Sequence, residues 1–201
     1  MEVVCLDLEG VLVPEIWIKL ADHTGIDELR ATTRDVSDYD ELMRFRLNVL
    51  DREGLGLAAI QRVVTGMAPL EGAAGFLASL RERYQVIILS DTFYEFARPL
   101  MRQLGWPTLF CHGLSVGPDG GILDYQLRLV DHKRKTVAAL RELNFRTVAA
   151  GDSYNDTSML AEADGGILFR PPASVVAEFP EFAVATEHHD LRQGINAVLG
   201  G

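Results

Sequence analysis

Residues 3–10, VVCLDLEG, decide the frame: four apolar residues run straight into two carboxylates, Asp7 and Glu9, and the run stops at Gly10. A short, continuous apolar run of this kind suits a parallel strand buried on both faces, with its polar residues at the carboxyl end. The pattern recurs along the chain. Residues 84–90 (YQVIILS) stop at Ser90 and Asp91, residues 147–152 (TVAAGD) stop at Asp152, and residues 166–169 (GILF) form a fourth run. Helical patterns over residues 73–83, 92–104 and 132–143 lie between these runs. Alternation of this type predicts an open α/β sheet with right-handed crossovers. Residues 114–127 read as a hairpin turning at Pro118-Asp119-Gly120-Gly121. Pro99 predicts a kink or a late start in the helix after the second strand.

Residues 14–70 break the alternation. They read as helical over 15–23, 39–52 and 57–65 and contain no strand candidate, so a small helical insertion is expected just after the first strand. The expected division is a core from residues 1–13 and 71–201 and an inserted unit from residues 14–70.

The bulk properties narrow the function. A formal charge of −10 over 201 residues disfavours non-specific binding to nucleic acid or to an anionic membrane. No apolar run approaches the ~18 residues that span a bilayer. The N-terminus has no basic segment and turns acidic at once, unlike a signal peptide. Cys5 and Cys111 sit in apolar, strand-like stretches, which suits buried thiols in a reducing cytoplasm. Oligomeric state has no signature in the sequence.

Open α/β sheets place their sites at the carboxyl ends of the strands. Three of the four runs end there in polar groups that can act together: Asp7 with Glu9, Ser90 with Asp91, and Asp152 with Asn155 and Asp156. Crowded carboxylates repel, and a hard divalent cation such as Mg²⁺ relieves the repulsion. A carboxylate can also attack phosphorus and form an aspartyl phosphate. Lys133 stands at the opening of a helix, within Asp131-His132-Lys133-Arg134-Lys135. A cation there opposes the helix dipole, which suggests a nearby anion; a solvated basic turn capped by Asp131 is the alternative. Arg46 falls near the centre of an apolar helical face made by Tyr39, Leu42, Met43, Phe45, Val49 and Leu50. It must pair with an anion or snorkel to water. A substrate carboxylate and a structural ion pair both satisfy that requirement.

Taken together, Asp7-Leu8-Glu9-Gly10-Val11, Ser90, Lys133 and the run from Gly151 to Asp156 (GDSYND) resemble, in order, the four motifs of the haloacid dehalogenase-like superfamily. The helical insertion, together with Ser158-Met159-Leu160 after the fourth motif, is similar to phosphoserine phosphatases. The resemblance implies a three-layer, Rossmann-like α/β core with a parallel sheet and a helical-bundle cap. It also implies roles. Asp7 attacks phosphorus. Asp7, the Glu9 backbone carbonyl and Asp152 bind Mg²⁺. Ser90 and Lys133 hold phosphoryl oxygens, and Glu9 acts as general acid and base. Asn155 and Asp91 join the substrate site, and Asp156 supports Lys133 or the metal. Glu15 and Arg46 lie where phosphoserine phosphatases hold the substrate's amino and carboxylate groups.

Two features depart from the usual pattern: Glu9 stands where the family usually has Asp, and Ser90-Asp91-Thr92 stands where Ser-Gly-Gly is typical. Both resemble bacterial phosphoserine:homoserine phosphotransferases. That resemblance implies phosphoserine as donor, water or homoserine as acceptor, and a place in serine and threonine biosynthesis. Phosphatases of other small metabolites and phospho-accepting receiver modules are the competing expectations. No G-x-x-x-x-G-K-[ST] or G-x-G-x-x-G motif supports an ATP-dependent kinase.

Overall fold

The computed structural model describes residues 1–32, 35–36 and 38–200. β1 (Glu2–Leu6) leads into a helical insertion made of α1 (Ile16–Thr24), a 3-10 turn (Asp27–Arg30), α2 (Tyr39–Arg52) and α3 (Leu57–Thr65). The chain returns through α4 (Ala73–Arg81) to β2 (Gln85–Phe93), α5 (Tyr94–Gln103), and the β3 (Thr108–Val116) and β4 (Ile122–Gln126) hairpin. It continues with α6 (His132–Glu142), β5 (Arg146–Gly151), α7 (Thr157–Glu162) and β6 (Gly165–Phe169). The last elements are α8 (Ala173–Glu178), β7 (Ala183–Ala185) and α9 (His188–Leu199).

The strands form one sheet in the order β4-β3-β2-β1-β5-β6-β7, parallel except for β4. β1 is central, between β2 and β5. The chain fills the β2 side first and then crosses to β5, so β1 and β5 flank the switch point where ligands bind in such sheets. Alternation along β1 explains the three layers. Val4 and Leu6 pack on one face with Phe76, Leu77 and Leu80 of α4 and Leu191, Ile195 and Leu199 of α9. Val3 and Cys5 pack on the other with Val137 of α6, Met159 and Leu160 of α7, and Val175 of α8.

The inserted helices are not a separate island. Trp17, Leu20, Met43, Leu50, Ile60 and Val64 belong to the same apolar cluster as the α4 and α9 face of the sheet. The Leu57 N–H donates to the Gly120 carbonyl of the hairpin at 2.9 Å. Among the described residues, no helix is long and apolar enough to cross a membrane.

Three expectations need adjustment. α5 runs through Pro99 without a late start. The proline cannot bond the carbonyl one turn back, at Glu95, and the Gln61 side-chain amide of α3 donates to that carbonyl instead, at 3.0 Å. β2 runs three residues past Ser90, its pairing with β3 broken by a bulge between Leu89 and Phe93. Phe45 is 38% exposed, so the apolar face of α2 is narrower than its sequence suggests.

Candidate active site

Asp7 follows β1 directly; its N–H donates to the Ala150 carbonyl of β5 at 2.9 Å, and its side chain is buried. Lys133 reaches the same point from α6. It is 3% exposed, and its Nζ lies 3.0 Å from Asp7 Oδ1, 2.8 Å from Asp156 Oδ1 and 3.2 Å from Asp91 Oδ2. The solvated-turn alternative is therefore overturned. Asp131 makes no side-chain cap on α6, and its carboxylate pairs instead with Arg134. Burial opposes the charge on Lys133, but Asp156, Asp7 and Asp91 outweigh it and hold the ammonium well above its ordinary pKa.

Two of the carboxylates are raised as well, which for them disfavours the charged form. Burial, then Asp156, pushes Asp7 well above the usual carboxylate range, against the pull of Lys133. Burial, Asp156 and Glu15 raise Asp152 to about 7. Ligand oxygens of Asp7, Asp152 and Asp156 lie within 4.8 Å of one another. Asp156 is already committed: Oδ1 accepts from Lys133, and Oδ2 accepts from the Asp152 and Ser153 N–H groups at 3.0 and 3.3 Å. Asp7 and Asp152 are left with negative charge that one lysine does not neutralise. An all-oxygen donor set of this kind fits Mg²⁺.

Two glycines make the packing possible. A Cβ on Gly10, at φ +78°, would meet Asp152 Cγ at 2.5 Å, and one on Gly151 would collide with the Asp156 carboxylate. Ser90 is buried at the start of the β2 bulge, and its Oγ accepts the Thr92 N–H at 3.2 Å.

On the side facing the inserted helices, Glu9 is buried beside Glu15, which precedes α1 as its N-cap residue. Burial, then the charge of Glu15, raises Glu9 well above its ordinary pKa, which favours its protonated form. Arg46 is 7% exposed and has no ion pair among the described residues. Its guanidinium lies over Trp17 at 4.5 Å, one nitrogen donates to the Ala31 carbonyl at 2.8 Å, and its Nε has no partner. Burial lowers its pKa to about 10, although Glu9, Tyr39 and Glu15 favour the charge. The structural ion pair is thus absent, and a buried cation with a free donor remains beside Glu9.

Asp91 and Asn155, expected among the substrate-binding residues, are turned toward the protein. Asp91 Oδ2 accepts from Asn155 Nδ2 at 2.8 Å as well as from Lys133, and its Oδ1 faces two histidines, His132 and His112. Asn155 Oδ1 accepts from Ser153 Oγ at 2.6 Å. Both tie neighbouring side chains together, although Asn155 is exposed and the Asp91 side chain is 32% exposed. Despite the burial penalty, Lys133 first and then the two histidines and Asn155 hold Asp91 well below its ordinary pKa. Sequence reasoning missed His112, His132 and Tyr39, whose hydroxyl donates to the Asp91 carbonyl at 3.0 Å. Lone histidines carry no periodic signal, and Tyr39 reads as part of an apolar face.

A central-strand aspartate, a buried lysine, a carboxylate pair and an inserted helical cap define a capped α/β hydrolase that handles phosphoryl groups on a carboxylate. Residues 1–164 match the model of the haloacid dehalogenase-like hydrolases, and the chain belongs to that family. It is 58% identical over 193 residues to phosphoserine phosphatase ThrH of Pseudomonas aeruginosa, covering 96% of this chain and 94% of that one. It is equally identical to a phosphoserine phosphatase of Pseudomonas syringae pv. tomato, covering 96% and 81%. Its fold is similar to a phospho-aspartyl intermediate analogue of phosphoserine phosphatase, with a TM-score of 0.77 at 21% identity and 98% of each chain covered.

Proposed function

We propose that the protein is a Mg²⁺-dependent phosphoserine phosphatase that works through an aspartyl phosphate on Asp7 and can pass the phosphoryl group to homoserine as well as to water. The observation that carries this reading is the convergence of Asp7 and Asp152, at the ends of β1 and β5, with Lys133, at the start of α6. The 58% identity to phosphatases named for phosphoserine supports the substrate.

Asp7 Oδ attacks phosphorus in line with the leaving seryl oxygen. Lys133 and Ser90 hold the equatorial oxygens, where charge is greatest during transfer. Glu9, neutral before the reaction, gives its proton to the leaving alkoxide and then takes one from the incoming water or homoserine hydroxyl. Arg46 receives the substrate carboxylate on its free Nε, and Glu15 receives the ammonium. Bound Mg²⁺, held by Asp7, Asp152 and the Glu9 carbonyl, supplies charge neutralisation and allows two carboxylates to share one small space. Two free, buried cysteines fit residence in the cytoplasm. The boundaries 1–13, 14–70 and 71–201 are our division into core and cap.

Incubation with phosphoserine, Mg²⁺ and rising homoserine, measuring orthophosphate and phosphohomoserine together, tests the whole reading. Phosphohomoserine is expected to rise at the expense of orthophosphate. Orthophosphate alone at every concentration would leave a plain phosphatase, and neither product would reject the substrate.

Two substitutions separate the roles. Glu9→Gln is expected to lower kcat on phosphoserine about a hundredfold. Its effect on an aryl phosphate, whose leaving group needs no proton, should be several times smaller. Equal losses on both, with burst kinetics showing that formation of the aspartyl phosphate limits the rate, would remove Glu9 as the acid. Arg46→Met is expected to raise KM for phosphoserine by about ten- to a hundredfold, as loss of a charge-assisted bond implies. The KM for the aryl phosphate should stay where it was; a parallel rise would make Arg46 purely structural.

A further inference from the structure

Asp91 stands in the β2 bulge, where the step from Leu89 to Phe93 faces the shorter step from Phe110 to His112 on β3. That irregularity brings three groups together. His112, paired with Phe93, and His132, the first residue of α6, both turn Nε2 to the same oxygen, Asp91 Oδ1, at 3.4 and 3.2 Å. Both rings are buried, with centroids 4.6 Å apart.

Two imidazoles and a carboxylate this close are also the donor set of a transition-metal site. The tautomer decides against it. His112 Nδ1 accepts the Arg128 N–H at 3.2 Å, so the ring proton sits on Nε2 and points at Asp91, leaving no lone pair there for a metal. The Lys133 ammonium, 3.2 Å from the other Asp91 oxygen, adds further repulsion against a cation. The cluster is a hydrogen-bonded clamp.

A clamp answers a problem specific to this chain. A carboxylate beside the phosphoryl pocket repels the incoming anion and competes for the lysine that must bind it. With Oδ1 hydrogen-bonded to His132 and in 3.4 Å contact with His112, the Asp91 rotamer is held and part of its charge is drawn away from the pocket. Oδ2 then meets both Lys133 and Asn155. We propose that His112 and His132 are positioning residues that act through Asp91: they clamp Oδ1 so that Oδ2 holds Lys133 and Asn155 where the phosphoryl group needs them. The proposal rests on the reading of Asp7 as phosphoryl acceptor and assigns these histidines no contact with substrate.

A double-mutant cycle tests it. His112→Leu and His132→Leu, each made alone and in an Asp91→Ala background, are assayed on phosphoserine and on p-nitrophenyl phosphate. In the parent background each is expected to lower kcat on the order of tenfold, as misplacement of a reacting group implies. KM for phosphoserine should change by no more than about twofold. His→Gln, whose amide nitrogen can reach the position of Nε2, should recover most of the loss. With Asp91→Ala present, the leucine substitutions should add nothing further; losses that simply add would overturn the proposal.

Two further readouts separate its failure from failure of the substrate assignment. If only p-nitrophenyl phosphate is turned over, phosphoserine is the wrong substrate and the cycle is still read. If neither is turned over, the clamp is judged on imidazole spectra alone. Imidazole ¹⁵N spectra of the otherwise unmodified protein should show protonated Nε2 on both histidines, shifted by Asp91→Ala. Spectra unmoved by that substitution would overturn the clamp even if the leucine variants do not fold.

Discussion

Asp7→Asn is expected to abolish phosphate release from phosphoserine, lowering kcat by about three orders of magnitude or more, as loss of a nucleophile does elsewhere. The fold should survive. The backbone of Asp7 is fixed by its bond to Ala150, and an amide of the same shape fills the same buried space. Burial and the neighbouring carboxylates already disfavour a charge at this position, so the neutral amide removes an electrostatic penalty as it removes the chemistry. The measurement is orthophosphate release alongside trapping of the acyl phosphate with hydroxylamine. An unchanged unfolding midpoint with no trapped adduct is the expected pair of results. Retention of more than about a hundredth of the activity would place the nucleophile elsewhere.

Lys133→Met is expected to damage both activity and stability. Lys133 sits within 3.2 Å of three carboxylates and is almost wholly buried. Removing the cation leaves three crowded carboxylates short of their shared cation, although Asp91 keeps His132 and Asn155, and Asp156 keeps the Asp152 and Ser153 N–H groups. Breaking a buried ion pair from one side costs about 3–5 kcal/mol, and denaturant unfolding should show a loss of that order. Turnover should fall by at least a hundredfold, because the same ammonium meets the equatorial phosphoryl oxygens. Asp156→Asn provides the contrast. It removes one of three anions from around Lys133 and should destabilise less, with the lysine still held by Asp7 and Asp91. A Lys133→Met protein as stable as the parent would show that water, and not the lysine, satisfies these carboxylates.

The reason some of this was readable in the sequence, and some was not, lies in the kind of interaction involved. β1, β5 and β6 announce themselves because a strand buried on both faces needs a continuous apolar run. α2 and α3 match their sequence ranges because periodic apolar faces pack against the rest of the core. The C-terminal α8, β7 and α9 were not foreseen. β7 is only three residues long and is defined by pairing with β6, a long-range contact that leaves no local pattern. β2 continues past Ser90-Asp91-Thr92 because its pairing with β3 resumes beyond the bulge, at Phe93 with His112, a long-range contact with no local pattern. The run around Lys133 looks uniformly solvated in sequence, yet only tertiary structure shows that Lys133 turns inward while Arg134 pairs with Asp131 and Glu162 at the surface. The motif residues were legible as types at the ends of strands; the ties among Asp91, His112, His132 and Asn155 exist only once β2, β3, α6 and the segment after β5 are assembled.

Pro99 adds a backbone hold on the inserted helices to those that the side chains of α5 provide. By lacking an N–H it leaves the Glu95 carbonyl vacant within its own helix, and Gln61 of α3 fills the vacancy. Lifting α3 away would strand that carbonyl until water replaced the amide, a cost of about 1 kcal/mol. A residue usually regarded as a helix defect thus serves here as the seat of a polar joint between α3 and α5.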